Sequence, residues 1–152
     1  MYDLEFNKRH EDAILPKRNN TDDAGLDIYA VEDVEIPPSE IDRNMIGVKI
    51  GRARIPTGIA VKIPTGRYGK IVGRSGLAFN DDIICFEGTI DSQYRGELGV
   101  LLFNLTGRPY FVRKGDRVAQ LVITQCDLPK PAWVDDLGIT NRGEDGFGES
   151  GR

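Results

Sequence analysis

Sulfur and imidazole are scarce in this 152-residue chain, which has two cysteines, two methionines and one histidine. Two thiols, Cys85 and Cys126, cannot build a disulfide framework or a four-ligand zinc site by themselves. The lone His10 sits in a polar stretch with no second histidine to share a metal. No apolar run approaches the ~18 residues of a membrane span. The opening segment MYDLEFNKRHEDAILPK lacks the apolar core of a secretory signal. Without such a signal, the triplets Asn19-Asn20-Thr21 and Asn104-Leu105-Thr106 read as chance matches to a glycosylation site. The expectation is a reduced, intracellular setting, cytoplasmic or nuclear, with no membrane partner. A net charge of −4 argues against broad nucleic-acid binding. No 3.6-residue apolar period lasts a dozen residues, so long helices are not expected.

What is abundant is punctuation. Eighteen glycines and eight prolines divide the chain into short segments. Between them lie strand-like runs: Gly25–Ala30, Ile59–Ile63, Lys70–Gly73, Leu98–Leu105 and Arg117–Thr124. Ile83–Phe86 and Thr89–Ile90 flank Glu87-Gly88, which suggests a hairpin. The nearly all-apolar run at 98–105 suggests a strand covered on both faces. Only Ser75–Asn80 suggests helix, of one or two turns. The expected class is all-β, closed as a barrel or jelly roll that hides strand edges. Residues 1–128 form the barrel domain, 129–139 an extended strap with Pro129, Pro131 and Trp133, and 140–152 a Gly-rich polar arm. Such a tail is either frayed or an arm whose lone Phe147 stacks on a ring while Arg142 clamps an anion.

Several residues have chemistry to offer. Gly73-Arg74-Ser75-Gly76 follows a strand, and its fork, hydroxyl and freed N–H groups suit phosphate, or make a plain turn. Asp91 ends a strand before a turn, as a turn former or as a carboxylate that deprotonates water. Tyr94 is a half-buried aromatic or a ring against a sugar. Asp27, an inward charge on a strand, needs an Arg or a hydrated metal as partner. Gln120 lies inside an apolar strand, so its amide needs a core partner or a phosphate oxygen.

The order of these segments resembles that of the trimeric deoxyuridine triphosphatase (dUTPase) family. Five motifs carry the resemblance: Ala24-Gly25-Leu26-Asp27-Ile28-Tyr29-Ala30, Gly73-Arg74-Ser75-Gly76-Leu77-Ala78, Gly88-Thr89-Ile90-Asp91-Ser92-Gln93-Tyr94-Arg95-Gly96, Gly115-Asp116-Arg117-Val118-Ala119-Gln120-Leu121, and the run from Arg142 to Gly151. The resemblance implies a distorted jelly roll of the β-clip type and a homotrimer with active sites at subunit boundaries. It implies hydrolysis of dUTP to dUMP and pyrophosphate with Mg²⁺, limiting uracil in DNA and supplying dUMP for thymidylate synthesis. By the same resemblance Asp91 activates the water, and Tyr94 lies under the deoxyribose. The segment with Cys85, Gly88 and Ile90 reads uracil, mostly through its backbone. Arg74, Ser75, Gly76 and Gln120 hold phosphates, and Asp27 bonds water on the metal or a neighbouring Arg. From another subunit, Arg142 reaches the γ-phosphate and Phe147 covers the base, within an arm that includes Gly146, Gly148 and Ser150. No direct protein ligand to the metal is implied, because Mg²⁺ favours phosphate oxygens and retained waters.

Four departures stand out. Asp145 replaces a usual Gly, and Glu149 places a charge where the family has a phosphate-bonding Ser. Residues 41–56 form a longer connection, read as a surface hairpin or a partner contact. Cys85 stands where some relatives have Asn. The related dCTP deaminases carry a catalytic Glu where this chain has Leu101, and an apolar side chain cannot shuttle protons. The other rival is a nucleotide-binding switch, against which the intact Asp91 argues.

Overall fold

A computed structural model describes residues 2–42 and 47–144. Among them thirteen strands and one short helix follow in order: β1 (Glu5–Lys8), β2 (Leu26–Tyr29), β3 (Val34–Ile36), β4 (Glu40–Asp42), β5 (Gly47–Lys49), β6 (Gly51–Pro56), β7 (Ile59–Lys62), β8 (Arg67–Val72), α1 (Ser75–Asp81), β9 (Ile83–Cys85), β10 (Gly88–Ile90), β11 (Gly99–Asn104), β12 (Tyr110–Val112) and β13 (Arg117–Gln125). The expected all-β class holds, and the architecture is a jelly roll. Helix α1 occupies the stretch expected to be helical and adds Asp81.

Two sheets matter for the site. One runs β10-β8-β13-β2, and the other runs β6-β11-β9. Their inward side chains make one core: Ile28, Ile55, Ile83, Val100, Leu102, Val118 and Leu121 are all fully buried. Each such side chain contributes roughly 1.5–3 kcal/mol on leaving water. Alternation explains the selection. In β11, Val100, Leu102 and Asn104 face the core, while Gly99, Leu101 and Phe103 lie half-exposed on the other side. The expectation that both faces of this strand are covered is therefore met on one face only within the single chain.

The expected hairpin across Glu87-Gly88 does not form. Strand β9 pairs with β11 (Cys85 opposite Leu102), whereas β10 pairs with β8 (Ile90 opposite Gly69). The chain crosses between sheets at Phe86 and Glu87, because the two short strands each find a longer partner elsewhere. Residues 41–56 resolve into two parts. Strands β4 and β5 pair as the expected surface hairpin. Strand β6 instead runs antiparallel to the whole of β11, with Ile55 fully buried. Its exposed, charged Arg52 and Arg54 disguise a strand in which they alternate with the buried or half-buried Gly51, Ala53 and Ile55.

Asn104 ends β11 in the core, and its amide donates to the carbonyls of Ile36, Pro37 and Arg108. Its Oδ1 accepts from the backbone and hydroxyl of Thr106. A glycan cannot reach this asparagine in the folded chain, which agrees with reading its triplet as a chance match. No helix among the described residues is long and apolar enough to cross a membrane.

Candidate active site

The sheet β10-β8-β13-β2 brings three motifs side by side. Gln120 on β13 lies opposite Asp27 on β2 and opposite Val72 on β8, two residues before Arg74. Asp27 is 3% exposed, so its charge needs partners. It has three. Arg74 Nε stands 3.4 Å from Oδ1, Arg117 Nη1 donates to Oδ2 at 3.3 Å, and Gln120 Nε2 donates to Oδ1 at 3.2 Å. Of the two alternatives raised by the sequence for Gln120, the core partner is present: its amide donates to the buried Asp27 and stands beside two guanidiniums. Gly25 has a steric reason to be glycine, since a Cβ there would fall 2.9 Å from Gln120 Cδ.

Two positive charges face one negative charge in this cluster, so it retains net positive character. Arg117 is half-exposed and stands between two cavities. One, of about 440 Å³, includes Lys17, Arg18, Asn19, Asp27 and Tyr29 in its wall. The other, of about 250 Å³, includes Arg74, Leu77 and Tyr110. Burial, followed by the nearby Asp27 charge, pushes the Tyr29 phenol above its ordinary range. Tyr29 therefore stays neutral and does not offset the arginines. Ser75 and Gly76 open α1 directly after Arg74, whose extended φ of −100° places it at the helix entrance. The Arg74 side chain does not cap that helix. It is turned to Asp27 and to the carbonyl of Arg117.

Asp91 and Tyr94 lie elsewhere. Asp91 follows β10 directly, and its carbonyl accepts the Tyr94 N–H at 3.0 Å, closing a tight turn. Both line a cavity of about 480 Å³ with Arg54, Thr89, Ile90, Glu97, Leu98 and Gly99. Tyr94 is half-exposed, and its hydroxyl donates to the Glu97 carbonyl at 3.2 Å. Of the residues expected near a base, Ile90 reaches this cavity. Cys85 is buried, with its thiol donating to the Phe86 carbonyl, and Gly88 pairs with Ile71 on β8. Leu101, at the position of the deaminase acid, lies on β11 opposite Arg54.

The register separates the two clusters. Ile90 pairs with Gly69, which sets Asp91 near Tyr68, six residues along the chain from Arg74. At the rise of an extended chain this is about 20 Å. No residue is shared between the walls of the Asp91 cavity and those of the two cavities around Arg117. Arg142 is described, but Asp145, Gly146, Phe147, Gly148, Glu149 and Ser150 lie outside the described residues.

Sequence reasoning missed Arg117, Lys17, Arg18, Arg54 and Glu97 as wall residues. For Arg117 a signal existed, since it opens the strand that carries Gln120 and an inward Asp27 calls for a cation. The others depend on contacts between distant segments and have no local signature.

Comparison with known proteins agrees with the motifs. Residues 11–151 match the dUTPase family. The deoxyuridine 5′-triphosphate nucleotidohydrolase of Paramecium bursaria Chlorella virus 1 is 43% identical over 151 residues, covering 99% of each chain. A mutant of the dUTPase of Staphylococcus bacteriophage 80alpha, solved with dUpNHpp, superposes with a TM-score of 0.87 at 29% identity over 100% of both chains. A mutant dUTPase from phage phi11 of S. aureus, described with a coordinated structural Mg(II) ion, has a TM-score of 0.76 at 28% identity, covering 90% of this chain and 99% of its own. Fold, motif order and near-complete coverage lead to one conclusion: this chain belongs to the dUTPase family.

Proposed function

We propose that this chain is a dUTP diphosphatase, hydrolysing dUTP to dUMP and pyrophosphate at sites shared between subunits of a homotrimer. The observation that carries the shared site is the separation of about 20 Å between Asp91 and Arg74, estimated from strand rise. Within a single protomer the two clusters line separate cavities with no wall residue in common. A neighbouring copy that sets its phosphate cluster against this chain's Asp91 cavity completes the site. The 129–139 strap supports the same reading, because Trp133, Leu137 and Ile139 are almost fully exposed in the single chain. Apolar side chains in such a segment favour cover from another subunit.

In this reading Asp91 accepts the proton of a water that attacks the α-phosphorus, and the bond to the β-phosphoryl oxygen breaks to release pyrophosphate. Arg74, Ser75, Gly76 and Gln120 hold the phosphates. Arg117 shares Asp27 with Arg74 and so fixes the guanidinium that faces the ligand. The positive cluster attracts a polyanion to a chain whose net charge is −4. Tyr94 lies under the deoxyribose. Uracil lies between the Thr89–Asp91 and Leu98–Gly99 segments, read by main-chain groups, with Cys85 and Gly88 supporting them from behind. Arg142 and Phe147 of the 140–152 arm come from another subunit to the γ-phosphate and the base.

The donor set fits Mg²⁺ carried by the triphosphate. Among the described residues no group of three His, Cys, Asp or Glu side chains is placed to cage a metal. Asp27 retains lone-pair capacity beyond its three donors and would be the acid to accept a hydrogen bond from a water held by the metal. When bound, Mg²⁺ supplies charge neutralisation to the phosphates.

A panel of dUTP, dCTP, dTTP and UTP, scored for pyrophosphate and ammonia, tests the reading. The expected result is pyrophosphate from dUTP alone and ammonia from none. On the same panel Asp91→Asn is expected to bind dUTP but to lose at least about 100-fold in kcat, since an amide cannot take the proton. Near-normal turnover by that variant removes Asp91 from the role.

A further inference from the structure

The cavity beside Asp91 is lined in part by Glu97, whose carboxylate the reaction leaves unused. Glu97 does not face solvent as a free acid. Its Oε1 accepts the backbone N–H groups of Thr57 at 3.2 Å and Gly58 at 3.0 Å. These two amides point the same way because Gly58, at φ 64°, turns the chain between β6 and β7 in a left-handed conformation. The Gly58 carbonyl is in turn held by the Arg9 N–H at 2.7 Å, so the turn is fixed from both sides. Thr57 Oγ1 donates to the Leu98 carbonyl, adding a second tie one residue further along.

The main chain of Glu97 connects this anchor to the cavity. Its carbonyl accepts the Tyr94 hydroxyl at 3.2 Å. The ring thereby folds back over Gly96, where a Cβ would sit 2.3 Å from the phenolic oxygen. The chain of contacts runs from a rigid turn, through a charge-assisted pair of hydrogen bonds, to the position of one ring.

We propose that Glu97 is a positioning residue for sugar discrimination: by docking its carboxylate on the Thr57–Gly58 amides, it sets the carbonyl that fixes the Tyr94 ring at the place where a 2′-hydroxyl would clash. This rests on the reading above that Tyr94 meets the deoxyribose. Glu97 touches no reacting atom, so its effect falls on the ratio of kcat/KM for dUTP over UTP more than on kcat for dUTP. An amide oxygen also accepts two N–H bonds, whereas a methyl group accepts none.

The test measures that ratio, the KM and kcat for dUTP, and thermal stability in the trimeric protein for Glu97→Ala, Glu97→Gln, Tyr94→Ala and Tyr94→Phe. Glu97→Ala is expected to lower the ratio about tenfold while kcat for dUTP changes less than about threefold. Glu97→Gln is expected to restore the ratio to within about twofold. Removing the hydroxyl already cuts the connection, so Glu97→Ala in a Tyr94→Phe background adds little further loss. Should Glu97→Ala fail to fold, Glu97→Asp is measured in its place, one methylene too short to hold both amides and the carbonyl together. An unchanged ratio in Tyr94→Ala overturns the underlying placement of the sugar. A ratio that collapses in Tyr94→Ala but survives in Glu97→Ala overturns the inference alone.

Discussion

Asp27 and Cys85 show how differently two buried titratable side chains are used. Asp27 keeps its charge company with two guanidiniums and an amide. The need for a cation was readable from its inward position on a strand, but the identity of Arg117 was not, since partners across a sheet are set by register. Cys85 is used in its neutral form. Burial, and secondarily the charge of Glu87, pushes its thiol from an ordinary 9.0 up to about 11. The thiolate is therefore negligible near neutral pH, which leaves Cys85 a packing residue with a weak donor. The sign of the pH effect follows. The native state holds this proton more tightly than the unfolded chain, so the contribution is whole below pH 9 and is lost as pH rises through 11. It amounts to at most about 2–3 kcal/mol. Urea denaturation at pH 8 and pH 11 is expected to show a smaller loss of stability in Cys85→Ala than in the parent.

Among the elements, β11 ties several separate segments together. It pairs with β6 along its whole length and with β9 at its end, and it terminates in Asn104. That side chain satisfies three carbonyls from two other segments. Asn104→Ala is expected to destabilise the chain by about 2–4 kcal/mol, because buried carbonyls lose their donor together with the packing of the amide. Asn104→Asp should be no better, since a carboxylate cannot donate to them. Thermal or chemical denaturation measures both. Most strands were legible because alternation and turn residues mark them. The exceptions have separate causes: β6 carries two arginines on its outer face, and β9 and β10 are too short for local sequence to choose their partners.

For the whole molecule, the central question is assembly. Two half-sites about 20 Å apart by strand rise, and a strap with uncovered Trp133, Leu137 and Ile139, are the features that the proposed trimer would bring together and cover. Truncation after residue 140 tests the arm separately from the fold. The shortened protein is expected to sediment at three times the monomer mass and to keep its thermal midpoint within a few degrees. It should lose at least about tenfold in kcat/KM for dUTP, because closure over the bound nucleotide is gone. A fully active truncated trimer would reduce the arm to a passive tail.

The sequence by itself determined the all-β class, the short helix after Arg74, the five ordered motifs and, through them, the family. These are local or ordered along the chain, so they survive in one dimension. Only the tertiary structure decided that Arg117 joins Arg74 at Asp27, that β9 and β10 part into different sheets, and that Asp91 and Arg74 stand at separate places on one protomer. It also decided that Glu97 docks on a turn 39 residues away. Each depends on which strand lies beside which, and that choice is made by burying a common core, which no local pattern encodes.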